Sequence, residues 1–366
     1  MKTRDYYFAK GQTVADSGVF TLTIPVGLKI QDIRVIIAST NGATSNTVGK
    51  LCGMVTKIEV LNGSDVLYSL SGREAQAYFA FNQLTGPTGQ ARLPFKLLSS
   101  AAAVVVTEEF PVIFGRYFRD PLYYLDTSRY QNPVLRITYA MTISATAGFA
   151  TGTTTISALA RIIDADAPPY QGFVMAKEIS SYTTAASGDN DTLLPLDWPY
   201  CGLLISALKT TIDPTTVLTN FKLLVNAGQY IPFDIASTDL RGHNWTQFGE
   251  FEEYWVPLSD TTATFLSDVY SQVGAWPDIA GATGKMNVSS VTAESVVVTF
   301  TTGQAAGSMR LRLRGLMPQA SWFIPFGDGD DPTAYLPVQG VSELRFKQTQ
   351  AVAAGAATIV TQQLRQ

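Results

Sequence analysis

The 366 residues are 46% hydrophobic and only 15% charged, with a formal net charge of −4 and a pI near 5.2. Such a composition excludes a disordered chain, and an acidic balance with no Lys/Arg-rich face excludes direct wrapping of nucleic acid. A single core seldom grows past roughly 250–300 residues, so two domains or one duplicated unit is expected. Abundant Thr and Val with few helix-type charge patterns favour an all-β protein.

The start, MKTRDYYFAKGQ, lacks the apolar stretch of a secretory signal, and no run reaches the roughly 18 apolar residues of a membrane span. The chain is therefore expected to be made in a cytoplasm and to remain soluble. Lys2, Arg4 and Lys10 beside Tyr6, Tyr7 and Phe8 suit either a flexible terminus or a segment lying on anionic headgroups. VFTLTIPV (19–26) and LKIQDIRVIIAS (28–39) are rich in β-branched residues and predict strands. After the loop NGATSNTVGK, KIEVLNGSDVLYSL (57–70) sets two apolar-rich runs around Asn62-Gly63, a strong hairpin signal. SGREAQAYFAFNQL (71–84) changes period. Ala75, Tyr78, Phe79 and Phe81 give a helical apolar face, Ser71 is the predicted N-cap, and Glu74 holds the capping-box position. AAVVVTEEFPVIFG (102–115) reads as a strand interrupted by Pro111, and RDPLYYLDTSRY as a short strand or turn. PVLRITYAMTI (133–143) and TTTISALARII (153–163) read as an antiparallel pair. DADAPPYQGF (164–173), with Pro168-Pro169 and Gly172, is the predicted linker.

Beyond the linker the pattern begins again. Residues 175–211 mirror 4–40 in outline, and FKLLVNAGQYIPFDI (221–235) echoes the first hairpin. Asn226 follows Asn62 by 226 − 62 = 164 residues, and Ile235-x-x-x-Asp239 follows Leu70-x-x-x-Glu74 by 165. The helix-capable STDLRGHNWTQF (237–248) comes next, and EYWVPLS, TATFLSDVY, SVVVTFTT and MRLRLRGLMP predict later strands. A repeat this long means a duplicated domain, because solenoid repeats run about 20–50 residues. The expected fold is all-β: two tandem eight-stranded jelly rolls, each with a short helix after its fifth strand. The expected boundaries are 1–166 for the first roll, 167–174 for the linker and 175–325 for the second roll. Residues 326–366, rich in Ala, Thr and Gln towards the end, are expected to form an arm outside the second roll.

No catalytic, cofactor-binding or metal-binding residue is predicted. Cys52 and Cys201 are far apart with no CxxC, which suits two buried thiols better than a bridge or a zinc site. The single histidine, His243, has no G-x-S-x-G partner and reads as a structural or surface residue. Asp328, Asp330 and Asp331 in FGDGDDPT resemble a fragment of a calcium loop without its distal glutamate, and read as a solvated acidic turn. Glu250, Glu252 and Glu253 in EFEEYW offer paired carboxylates of the kind glycoside hydrolysis uses, with Glu250 and Glu252 on one strand face about 7 Å apart, but an edge strand gives the same text. Arg310, Arg312 and Arg314 alternate with apolar residues, as on a solvated or ion-paired strand face. The sequons at Asn62, Asn190, Asn244 and Asn287 read as plain loop residues.

The duplicated hairpin, each copy followed by a short helical segment, resembles the double jelly-roll major capsid proteins of tailless icosahedral viruses. That family includes phages with an internal membrane and, more distantly, the adenoviruses. FPVIFGRYFRDPLYYLDTSRYQNPVLRITY is similar to the end of that family's first roll. The resemblance implies homotrimers whose six rolls form a pseudo-hexagonal capsomer, neighbouring capsomers and minor or penton proteins as partners, and a virion location. It implies no cofactor, no catalytic position and no sequence-specific contact with nucleic acid. It further suggests that both termini face inward, where they bridge capsomers or meet an inner membrane. The alternatives left by the residues are a phage spike, tail or glycan-binding module, and a two-roll glycan hydrolase acting through EFEEYW.

Overall fold

A computed structural model describes residues 1–44, 46, 49–83, 91–99, 102–141, 148–210, 212–255, 264–279, 286–292, 295–300, 309–327 and 331–366. The first half runs β1 (Lys2–Thr13), β2 (Ser17–Thr23), β3 (Lys29–Thr40), α1 (Leu51–Met54), β4 (Val55–Asn62), β5 (Asp65–Leu70) and α2 (Gly72–Phe81). It continues with β6 (Ala91–Arg92), β7 (Lys96–Leu97), β8 (Val105–Ile113), β9 (Leu125–Asp126), β10 (Pro133–Ala140) and β11 (Thr155–Ala165). The basic start is therefore a strand along β11 and not a loose terminus. Two sheets result: β1-β11-β3-β8-β7 on one side and β2-β10-β4-β5 on the other. Alternation explains the core between them. Ile33, Val35 and Ile37 of β3 face Ile58 and Val60 of β4 and Leu135 and Ile137 of β10, all fully buried.

Sequential strands thus change sheets. The expected β10–β11 hairpin does not form: β10 lies between β2 and β4, and β11 between β1 and β3. Antiparallel patterning shows that both strands are half-buried, but not which partner each takes. Pro111 does not interrupt β8 either. β7 pairs with β8 only at Thr107 and Glu108, so Pro111 stands where that side of the strand needs no N–H. The helix forms as expected, with Ser71 accepting from the Glu74 backbone N–H and the Glu74 carboxylate accepting from the Ser71 N–H at 2.7 Å.

Residues 167–172 carry no regular structure, and the second half repeats the order of the first. It runs β12 (Phe173–Thr183), β13 (Gly188–Leu193), β14 (Tyr200–Leu208), α3 (Pro214–Val217), β15 (Leu218–Val225), β16 (Tyr230–Ala236) and α4 (Ser237–Phe248). In each half the short helix follows the fifth strand. The hairpins match with one difference. The first turn is Gly63-Ser64 with Gly63 at φ 62°, whereas the second is the four residues 226–229, with Asn226 and Ala227 also at positive φ. Asn226 therefore begins a longer turn, and Val225 takes the place of strand-ending Asn62.

An insertion follows α4: β17 (Phe251–Trp255), β18 (Thr264–Leu266), β19 (Val269–Tyr270), β20 (Gly274–Ile279), β21 (Met286–Thr292), β22 (Ser295–Phe300), β23 (Met309–Gly315) and β24 (Met317–Pro318). The second half closes with β25 (Ser321–Pro325), β26 (Leu344–Gln350) and β27 (Ala356–Arg365). Here the expected arm is corrected. β26 lies between β13 and β15, β27 lies between β12 and β14, and Ile359 and Val360 are in the core. The Thr and Gln residues that suggested an outer arm are engaged inside: Gln362 donates to Tyr78 and Asn82 of the first half, while Thr358 meets Ser206 and Gln363 donates to the Trp198 carbonyl. The strands expected to complete the second roll lie instead in the insertion.

The second core gathers around Trp322, Phe221 and Phe346, and the Trp322 N–H donates to the Ser237 carbonyl at 3.0 Å. Strand β5 meets β12 in a parallel contact at Ser69 and Lys177, which makes one eight-stranded sheet, β2-β10-β4-β5-β12-β27-β14-β25, spanning both halves. Lys2 pairs with Ala165 and Phe173 with Arg365, so both termini meet the linker at one end of the molecule. Ser321, the first residue after the insertion, pairs with Ser206 towards the opposite end of β14. Among the described residues no helix is long and apolar enough to cross a membrane.

Candidate functional site

The densest chemistry lies where the insertion meets the first half. Asp268, buried in the turn before β19, takes Lys96 at 2.5 Å, Lys50 at 3.0 Å and Arg73 at 3.4 Å. Glu253 of β17 lies 3.7 Å from Lys96 and accepts from the Asp268 backbone N–H at 2.8 Å. Glu108 of β8 completes the set. Its carboxylate accepts from the Leu51 and Cys52 backbone N–H groups that open α1, and from Gln76 of α2. Gln319 bridges Arg73 and Gln76. Three cations and three carboxylates thus balance inside the protein, with Lys50, Arg73, Lys96 and Glu108 from the first half and Glu253 and Asp268 from the insertion.

Burial would raise the Asp268 carboxyl, but Lys50, Lys96 and Arg73 overcome it and hold the group well below the usual carboxylate range. Burial raises Glu253, offset by Lys50 and Lys96, with Asp268 adding to the rise. For Lys96, burial works against the charge, but Asp268 and Glu253 keep the ammonium protonated above the ordinary lysine value. The Cys52 thiol is pushed up to about 12, by burial first and then by Asp268. A thiol so hard to ionise is a poor nucleophile. Each charge is engaged by another, so this cluster fastens the insertion to the first half and offers no group for reaction.

The EFEEYW carboxylates fare likewise. Glu252 is buried and takes Arg314 at 3.0 Å, Arg312 at 3.5 Å and Arg92 at 3.6 Å. β17 is an inner strand, flanked by β23 and β6, and not the expected edge. Glu250, the expected same-face partner of Glu252, meets the same Arg314 at 3.8 Å, while Glu253 points to the opposite face and into the Lys96 set, so each carboxylate is held by cations. Arg312 and Arg314 form the ion-paired strand face.

Beneath this, Phe81 of α2 packs on Phe248, Phe251 and Phe323 with centroids 4.9–5.7 Å apart, joining both halves. A cavity of about 240 Å³ adjoins it, lined by Phe81, Phe248, Phe323, Phe326, Arg116 and Gln362 among others. Arg116 is held by Asp120 at 2.7 Å.

The remaining residues singled out in the sequence are dispersed. His243 lies on the exposed side of α4. Asp331 caps a 3-10 turn by accepting from the Thr333 N–H at 2.9 Å, while Asp328 and Asp330 fall outside the described residues. Cys52 and Cys201 are free and buried in separate clusters. The sequon asparagines are not loop residues. Asn62, Asn190 and Asn287 lie in strands, and Asn244 lies buried in α4, bonded through both amide atoms to the Phe323 backbone. Lys50, Arg73, Lys96, Glu108 and Asp268 were not singled out by sequence reasoning. The available signal was a charge inside an apolar run, as in LPFKLL and VVVTEEFPVIF.

No family model matches the sequence, and no curated protein matches it. Solved structures do match over the full chain. The STIV MCP, a major capsid protein, is 12% identical with a TM-score of 0.59, covering 100% of this chain and 97% of that one. The major capsid protein of bacteriophage PM2 is 10% identical with a TM-score of 0.54, covering 100% and 98%. PBCV-1 VP54, fitted into a reconstruction of the virophage Sputnik, is 10% identical with a TM-score of 0.58, covering 99% and 93%. At such identity the likeness concerns the fold, and the fold is the double jelly roll.

Proposed function

We propose that this chain is a structural, non-enzymatic protein: the major capsid protein of an icosahedral virus. The first roll comprises residues 1–166, the linker 167–172, and the second roll 173–365 with an insertion at 249–320. Three chains form a capsomer of six rolls, and capsomers tile the shell beside minor or penton proteins. The observation that carries this reading is the full-length match of the chain to solved capsid proteins. The low charge fraction fits a protein whose sides are covered by copies of itself, because interface centres are depleted in charge. With both termini at one end and the insertion towards the other, the termini face the particle interior and the insertion faces out. An inner membrane, where one exists, would then be met by the end that carries Lys2.

Sedimentation and electron microscopy of the expressed chain test this. The expected result is a species near three times 39.6 kDa that assembles further into hexagonal arrays or closed shells. A chain that stays monomeric overturns the reading.

A further inference from the structure

The internal duplication leaves two strands in unequal positions. β5, the fifth strand of the first roll, is met at its outer edge by β12, the first strand of the second, in a parallel contact at Ser69 and Lys177. Their counterparts are β16 and β1. Among the described residues each ends its sheet with nothing beyond it, in the orders β13-β26-β15-β16 and β1-β11-β3-β8-β7. Each exposes large apolar side chains among charged or proline residues: Tyr6 is 43% exposed, Tyr7 45%, Tyr230 61% and Ile231 42%. An edge of that kind is a template for another strand.

The equivalence can be set residue by residue. In β1, Tyr7 pairs with Leu159 and Ala9 with Ala158, so Phe8 is bulged. In β12, Glu178 pairs with Val360 and Ser180 with Ile359, so Ile179 is bulged. Matching the bulges places Tyr6 on Lys177 and Tyr7 on Glu178. In β4 and β15 the bulged residues are Thr56 and Thr219, which places Glu59 on Lys222. The hairpin ladders then place Ser69, opposite Glu59, on Asp234, opposite Lys222. Within one chain Lys177 lies beside Ser69.

We infer that β1 of one copy docks in parallel along the bare edge of β16 of a second copy, with Tyr6 beside Asp234, repeating between chains the junction that β5 and β12 make within one. The inference rests on the self-assembling reading above and names its contact. Charge agrees: β1 carries Lys2, Arg4 and Lys10 against Asp5, a net 3 − 1 = +2, whereas residues 230–240 carry Asp234 and Asp239 and no cation. Present partners are surface ion pairs, Arg4 with Asp164 and Asp234 with Lys222, of the kind worth little in water and readily shared. Such a head-to-tail contact closes into a ring when the rotation permits. By this geometry every copy gives one β1 and accepts one.

Cysteine pairs bridged by a short bis-maleimide test the contact. The in-chain pair Ser69→Cys with Lys177→Cys is the control and stays at 39.6 kDa on a denaturing gel. The pair Tyr6→Cys with Asp234→Cys is expected to give rungs at two and three times that mass and none above. An oligomer by sedimentation in which the control is bridged but 6/234 yields no rung overturns the contact and leaves the capsid reading standing. Rungs continuing beyond three overturn the closed ring. A monomer by sedimentation overturns both readings. Tyr6→Asp, placing like charge at Asp234, is expected to shift oligomer to monomer with the far-ultraviolet circular dichroism spectrum of the wild type, and an unchanged oligomer overturns the contact.

Discussion

Replacing Asp268 with asparagine keeps the shape of the side chain and removes one buried charge. Wild type balances Lys50, Arg73 and Lys96 against Glu108, Glu253 and Asp268, so the variant is left with 3 − 2 = +1 inside the protein. Breaking a buried ion pair from one side costs about 3–5 kcal/mol. Easier ionisation of Glu253, no longer repelled by Asp268, offsets part of this, so the lower half of the range is expected. Unfolding entropy of about 2.1 cal/mol/K per residue gives roughly 0.8 kcal/mol/K for the whole chain. The expected fall in Tm is then about 4–5 °C at pH 7, read by calorimetry on the assembled protein. Asp191→Asn, which breaks partly exposed pairs with Arg345 and Lys347, serves as comparison and is expected to cost under about 1 kcal/mol. Because Asp268 is held below its unfolded value, its contribution is present above about pH 4 and is lost as pH falls further. The gap between wild type and variant should therefore narrow in acid. A Tm within 1 °C of wild type at pH 7, or a gap that does not depend on pH, would refute the assignment of the cluster as a charge-balanced fastening.

Asp32 is fully buried in β3 with neither carboxylate oxygen hydrogen-bonded, and burial pushes it up to about 7 against the pull of Arg119 and Arg34. Between about pH 4 and 7 the folded chain keeps a proton that the unfolded chain has lost, so stability falls as pH rises through that window. Asp32→Asn is expected to stabilise at pH 8 by up to about 4 kcal/mol and to have much less effect at pH 4, measured by urea unfolding; equal effects at both would sink the idea. Trp322→Ala removes a wholly buried indole and its bond to Ser237. A loss of about 3–5 kcal/mol is expected, and a loss under 1 would show that the second core is packed otherwise. Gly172, at φ +110°, would place a Cβ 2.3 Å from the Arg365 carbonyl oxygen. Gly172→Ala should therefore loosen the linker from the end of β27, visible as faster proteolysis near residue 172; wild-type resistance would count against that contact.

What could be read from the sequence was local. The capping box at Ser71 and Glu74, the hairpin at Asn62-Gly63 and its echo each depend on residues a few positions apart, and they form in the fold, the echo with a longer turn. The tandem rolls could be inferred because the same local order occurs twice. Pairing between distant strands left no such trace. β10 and β11 have the alternation of a hairpin yet belong to opposite sheets, and the pattern of β27 could not show that it inserts between β12 and β14. The buried cluster was hidden for a related reason. Lys96 and Asp268 lie 172 residues apart, and a charge within an apolar run reveals that it needs a partner but not which one.

The placement of β27 also sets a timetable. During synthesis β12 and β14 emerge first, but the strand that separates them begins only at Ala356, 356 − 208 = 148 residues after β14 ends. At about 5–20 residues per second that interval lasts roughly 7–30 s. Throughout it β12 and β14 wait without the strand that separates them, beside a finished first roll, free to pair with each other or with those on neighbouring ribosomes. Efficient production of this protein therefore depends on what shields those edges during the wait, and slow translation through the insertion would raise aggregation without altering a single contact of the finished fold.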